Sequence, residues 1–253
     1  MSTTKHALKT AMRQSLSRLG LDIRSAIRTD RDLTGPAIAF EPTLRAASEA
    51  GLSVGDYIDV ALNGMPGATQ ATIDHMRELN VFAHRIDIVV EIGPGSGRYL
   101  ERTLAACSPS RYEFYETAEP WAQYVERVYG AIRQPATGMN LGATASDSAD
   151  LVQAHKVFSA LSLMTMLRYW PEMARVTRPG GFVVFDVVTE ACLDPETIDR
   201  WTGSGQRPAN CLSAVPRETV FRYFAKRGFT TVGTFLIPMG PGTTEVFVFR
   251  KNS

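Results

Sequence analysis

The sequence predicts an α/β fold, an open and mostly parallel sheet with helices on both faces, and three observations carry that prediction. A β-branched run from Ile86 to Ile92 leads into glycines at alternate positions, Gly93, Gly95 and Gly97, and then into an amphipathic helical pattern. Strand-like and helix-like patterns then alternate as far as Asp186, as layered α/β domains require. Two alternating runs, residues 229–237 and 245–250, flank Gly240-Pro241-Gly242 and predict a closing antiparallel hairpin.

Composition sets the bounds. The 253 residues, 44% hydrophobic and 21% charged, leave room for one large domain or a domain with a cap. A net charge of +1 without a run of Lys or Arg excludes the electrostatic footprint of a nucleic-acid binder. Cys107, Cys192 and Cys211 form no Cys-x-x-Cys pair, and no His/Asp cluster asserts a metal. The basic residues Lys5, Lys9, Arg13 and Arg18 precede no uninterrupted apolar core, and no stretch is long enough to insert in a membrane. A cytoplasmic protein is expected.

Taken in order, apolar residues at helical spacing predict a first helix over residues 5–19, stopped by Gly20, then an irregular stretch over 22–40. Further helices are expected over 44–50, from the Ser53 cap to Leu62, and from Thr69 or Thr72 to Leu79. Residues 1–80 therefore read as a helical extension and 81–253 as the sheet domain. Within the latter, a helix over 96–107 follows the glycine loop, and residues 111–115 alternate as a second strand closed by Glu116. Pro120 and Trp121 open the next helix, and the third strand is expected within 135–141. A fourth strand over 150–158 and a helix over 161–176 come next. Pro179-Gly180-Gly181 then reads as a chain-reversing turn into a fifth strand ending at Asp186, with helices over 195–201 and 216–227 before the hairpin.

The glycine loop restricts the ligand. A dinucleotide fingerprint would need glycine at Arg98 or at Leu100, and a P-loop would need Lys-Ser/Thr where Arg98-Tyr99 stand. What remains is Glu91-x-Gly93-x-Gly95-x-Gly97, whose acid suits a ligand with a cationic amino group; a tight turn with no ligand is the plainer alternative. This pattern resembles the first motif of the class I methyltransferases that use S-adenosylmethionine (SAM). The resemblance implies a seven-stranded Rossmann-like sheet with an antiparallel last strand, SAM as cofactor, and an N-terminal extension that covers the acceptor site, makes a homodimer contact or only buries one edge of the core. Residues 91–100, 112–121, 150–158 and 172–186 are similar to phrases of bacterial sugar or polysaccharide O-methyltransferases.

Carried onto this chain, the resemblance assigns cofactor binding to Glu91, Gly93, Gly95 and Gly97. Glu116, about 20 residues past the loop, occupies the place of the ribose-binding acid, and Glu119 competes for that role from the first turn of the next helix. Trp121 either covers the adenosine or fills the core. Thr137 and Gly138 stand where family members often place an Asp for the adenine amino group, a departure that leaves a Thr hydroxyl or a backbone carbonyl as acceptor. His155, at the expected tip of the fourth strand, serves as general base or hydrogen-bonds the cofactor carboxylate or the backbone. Asp186 and Glu190 flank the same edge as base, substrate contact or solvated charge. Trp201, beside the polar loop 202–208, suits a sugar face or a plain core. The implied reaction is in-line methyl transfer to a hydroxyl of a small-molecule or glycan acceptor. A small-molecule O- or N-methyltransferase of secondary metabolism, or a non-catalytic SAM-binding partner protein, would use the same loop.

Overall fold

The computed structural model describes residues 38–203 and 214–253. The helix expected over 5–19, Cys211 and most of the loop 202–208 lie outside the described residues. The described residues all belong to one compact unit. Within it, α1 (Phe40–Glu49), the short α2 (Val54–Tyr57), a π-helical turn (Ile58–Leu62) and α3 (Ala68–Glu78) precede the sheet. Ser53 caps α2 by accepting the Asp56 N–H at 3.0 Å, as its residue type predicts.

Seven strands follow in the sheet order β3-β2-β1-β4-β5-β7-β6. They are β1 (Ile88–Ile92), β2 (Arg111–Tyr115), β3 (Ile132–Arg133), β4 (Ala149–Ala154), β5 (Thr177–Val187), β6 (Phe229–Met239) and β7 (Gly242–Lys251). The helices between them are α4 (Arg98–Cys107), α5 (Glu119–Tyr129), α6 (Leu163–Val176), α7 (Pro195–Gly203) and α8 (Arg217–Ala225). Strands β1 to β5 pair in parallel, while β7 runs antiparallel between β5 and β6. This is the Rossmann-like class I methyltransferase sheet.

Alternation along the strands gives the sheet two apolar faces. Val90, Val152, Val183, Phe185, Phe247 and Phe249 pack against α6 and α8 through Trp170 and Phe224. Val89, Phe114, Leu151, Val184 and Val248 pack on the opposite side with Leu100 of α4 and with Ile73 and Met76 of α3. The pre-sheet helices thus share the core of the α4 face.

Two expectations need correction. The third strand is not within 135–141 but at Ile132–Arg133, paired with Glu113 and Phe114. Gly130, in the left-handed region, ends α5 and turns the chain straight back to the sheet. Nor is Pro179-Gly180-Gly181 the reversal: α6 passes into β5 at Thr177, and the three residues bulge within β5, where the pairing jumps from Thr177 with Ala149 to Phe182 with Leu151. Gly181 is required there, since a Cβ would lie 2.8 Å from the Ala149 carbonyl oxygen.

Candidate active site

The parallel strands present their carboxyl ends along one edge, where β1 and β4 lie side by side and the strand order reverses. The glycine loop leaves β1 there. Gly93, Gly95 and Gly97 all have positive φ, at 61°, 52° and 78°. A Cβ on Gly93 would strike Val157 at 2.7 Å and one on Gly97 would strike the Tyr129 ring at 2.5 Å, whereas Gly95 has nothing within 4 Å. The outer glycines are packing positions, and the middle one faces open space against which a ligand can lie.

Glu116 spans from β2 to this loop. Its carboxylate accepts the Gly95 N–H and the Ala118 N–H, both at 2.8 Å, and burial raises its pKa. Beside it opens a groove of about 500 Å³ lined by Glu116, Thr117, Arg133, Gln134 and Pro135 among others. Glu119, also on the rim, is bound by both guanidinium nitrogens of Arg133, which holds its carboxyl near 2. The structure therefore separates the competing acids, Glu119 committed to a cation and Glu116 to the loop. Gly138 lies close to Thr117, so the 137–138 turn reaches the same end of the sheet. Trp121 is buried, donates to the Ile38 carbonyl at 2.9 Å and meets Phe40 edge-on, a brace for α1.

Glu91 sits lower, on the α4 face of β1. It is almost wholly buried and accepts the Tyr112 hydroxyl at 2.5 Å. Gln153 donates to that hydroxyl at 2.9 Å and to Thr103 at 3.2 Å. These donors are neutral, and burial pushes the Glu91 carboxyl up to about 7.

At the tip of β4, His155 is buried and stacked on Tyr99 of α4, with centroids 4.4 Å apart and rings 19° from parallel. Neither ring nitrogen has a hydrogen-bond partner, and burial lowers its pKa to about 4 against the opposing pull of Asp186. Asp186 is fully buried on β5. One carboxylate oxygen accepts the Lys156 N–H at 2.6 Å; the other makes no hydrogen bond and lies 3.7 Å from Lys156 Nζ. Lys156 Nζ also donates to the Pro238 carbonyl at 2.8 Å and Thr244 at 2.7 Å, and burial pulls its pKa down to about 8. A backbone φ of 60° at Lys156 directs the chain away from β4. Nothing in the sequence pattern marked Lys156.

The remaining expected residues lie farther along this edge. Glu190 accepts the Arg217 N–H at 2.9 Å, at the start of α8. Trp201 packs against the bare backbone of Gly242 where the hairpin begins. No group of His, Cys, Asp and Glu among the described residues has metal-binding geometry. No described helix is long and apolar enough to cross a membrane.

Residues 90–185, from β1 through β5, match the family model described as a methyltransferase domain. The match covers less than half of the chain and takes in β2, β4 and most of β1, the strands that frame the glycine loop. The site has the features a SAM-like ligand needs: an open glycine at Gly95, a buried acid spanning to it, and an adjoining groove. Among solved structures, N-methyltransferase NodS from Bradyrhizobium japonicum WM9, in complex with S-adenosyl-l-homocysteine, is similar at 16% identity and a TM-score of 0.56, over 85% of this chain and 98% of that one. An O-methyltransferase family protein from Burkholderia thailandensis is similar at 16% identity and a TM-score of 0.57, over 89% of this chain and 68% of that one. The [4+2]-cyclase SpnF is similar at 13% identity and a TM-score of 0.53, over 72% of this chain and 82% of that one. These likenesses share the fold and differ in chemistry. No curated protein matches the chain.

Proposed function

We propose that this methyltransferase acts on a hydroxyl of a small or sugar-like acceptor, with His155 taking the acceptor proton. The observation that carries the reading is the buried, uncharged imidazole whose two ring nitrogens lack partners at the tip of β4. A buried polar group without a partner is costly, and a ligand hydroxyl donating to the free nitrogen would relieve it. SAM supplies a methyl group made electrophilic by its sulfonium sulfur. The protein then has to hold the acceptor oxygen in line and receive one proton, and alignment is the larger contribution. Tyr99 keeps the imidazole plane fixed by stacking, and the Lys156–Asp186 pair holds the β4 tip against β5 and the hairpin.

Within this reading, Gly95 and its neighbours Gly93 and Gly97 form the bed for the cofactor, Glu116 takes the ribose hydroxyls, and Thr137 and Gly138 meet the adenine. Glu91 balances the amino group from beneath the loop. The Phe40–Glu78 helices act as a cap on the 81–253 domain. A homodimer contact through the N-terminal extension and a cytoplasmic setting complete the proposal.

An amine acceptor is favoured by one observation: an imidazole with a pKa near 4 is a feeble base for a hydroxyl, whereas an amine bound in its neutral form attacks through its lone pair and sheds its proton only after transfer. The test screens hydroxyl and amine acceptors with radiolabelled methyl donor, using wild type and His155→Ala. Labelled glycosides or alcohols, with turnover lost at least tenfold in the variant, support the hydroxyl reading. Labelled amines with unchanged turnover replace it by N-methylation, and SAM binding with no turnover of any acceptor points to a partner protein.

A further inference from the structure

The segment that carries α2 and the π-helical turn lies across the first two turns of α4, and the contact is built in detail. Gly55 is the crossing point, where an added Cβ would stand 3.0 Å from Arg98 Cβ. Two ion pairs flank it. Asp56 binds Arg102 at 2.8 Å and Asp59 binds Arg98 at 2.8 Å, so residues three apart on the cap meet residues four apart on α4.

The two rungs differ in setting. Asp56 and Arg102 keep 45% and 30% of their side-chain surface exposed, whereas Asp59 and Arg98 keep 3% and 11%. An exposed pair of the first kind contributes little, but the second is out of water and its partners are specific. Asp59 is held in place independently of Arg98, accepting the Thr69 N–H at 2.8 Å and the Thr69 hydroxyl at 2.9 Å. Thr69 lies in the first turn of α3, where a carboxylate is favoured by the helix dipole. Arg98 is the opposite case: a cation in the first turn of α4 opposes the dipole and requires a counter-charge there.

Arg98 immediately follows Gly97, and its guanidinium lies 5.0 Å from the centroid of the Tyr99 ring that stacks on His155. We infer that Asp59 and Arg98 are positioning residues. Asp59, anchored on α3, fixes Arg98, and through it both the glycine loop that receives SAM and the Tyr99–His155 stack. The cap is thereby connected to the cofactor bed. This inference rests on the cofactor assignment, and its test separates the two.

The experiment compares wild type, Asp59→Asn, Arg98→Met, the double variant and Asp56→Asn by SAM calorimetry and by amide hydrogen exchange of residues 93–101. In Asp59→Asn the amide oxygen still accepts the Thr69 N–H and the amide NH2 donates to the Thr69 hydroxyl, so the anchor on α3 is kept while the charge is lost. Expected is a rise of at least tenfold in SAM Kd and a matching acceleration of loop exchange for Asp59→Asn and for Arg98→Met. The double variant should be no worse than the more affected single, because both act through one contact. Asp56→Asn should keep Kd and loop exchange within twofold, although it unties the same helices. Folded Asp59→Asn with wild-type Kd and wild-type loop exchange would overturn the inference, as would equal effects at Asp56 and Asp59 or additive singles. Wild type giving no heat with SAM, while Asp59→Asn alone still accelerates loop exchange, would sink the cofactor reading and leave the positioning role standing.

Discussion

Replacing Glu91 by Gln is expected to make the protein more stable at pH 8 and worse at binding SAM. In the folded chain the Glu91 carboxyl ionises near 7 instead of at its ordinary 4.5, because burial outweighs the help it receives from Tyr112 and Gln153. Between those two pH values the unfolded chain has released a proton that the folded chain still holds, so stability falls as pH rises through the window. The loss is complete above 7. At about 1.4 kcal/mol per pKa unit, ionising this site costs the wild type roughly 3 kcal/mol. Glutamine keeps the shape and cannot ionise, although its amide N–H group takes back about 1 kcal/mol if it finds no acceptor. Denaturant unfolding of both proteins at pH 5 and pH 8 isolates the effect, since every other titrating group is common to both. The advantage of the variant should grow by about 2 kcal/mol between the two pH values. If Glu91 balances the cofactor's amino group as proposed, SAM affinity at pH 8 should meanwhile weaken about tenfold, because glutamine carries no charge to set against that cation. A stability difference that does not change from pH 5 to pH 8 would refute the reasoning.

His155 behaves in the opposite sense. Its pKa falls from 6.5 to about 4, so acidifying from pH 6.5 protonates the unfolded chain first; His155→Gln should remove roughly 2 kcal/mol of acid sensitivity between pH 7 and pH 4.5, read by melts at those two pH values. Gly97→Ala must accommodate a methyl group 2.5 Å from the Tyr129 ring at a φ of 78°. A loss of about 2 kcal/mol in denaturant unfolding is expected, with weakened SAM binding in calorimetry. Arg217→Met leaves the buried Glu245 carboxylate with Thr189 alone, since Arg217 binds its other oxygen at 2.6 Å. Because Arg217 is itself 40% exposed, the expected loss is only about 1–2 kcal/mol, measured by denaturant unfolding at pH 7.

Local pattern was enough to read β1, β2 and the helix after the glycine loop, because each is a short periodic run bounded by glycine, proline or an acid. Ser53 as a cap and Glu116 at the end of β2 were legible for the same reason. The third strand was misplaced because two residues, Ile132 and Arg133, carry no periodicity; only their pairing with β2 defines them. The bulge in β5 was read as a turn because Pro-Gly-Gly is written alike in both. In the site, the sequence brought out His155, Asp186 and Glu91 as residue types at strand ends. Their partners were invisible: Tyr112 lies 21 residues from Glu91, and Lys156 lies 30 from Asp186. Arg98 stood in plain view beside Gly97, but its meaning depends on Asp59, 39 residues earlier and buried by another helix. Long-range pairing and burial, rather than composition, separate what was read from what was missed.

The order of strands also bears on how the chain is made. Strand β7 is the last in sequence, yet it lies inside the sheet, and β6 touches the rest of the sheet only through it. During vectorial synthesis β6 therefore emerges with no strand to join, and β5 stays an open edge until β7 leaves the ribosome. Phe247 and Phe249, which complete the aromatic cluster around Phe185 and Phe224, arrive in the same step. The nascent chain must hold its parallel half half-covered until then, a state in which an unpaired edge and bare aromatic rings invite a chaperone.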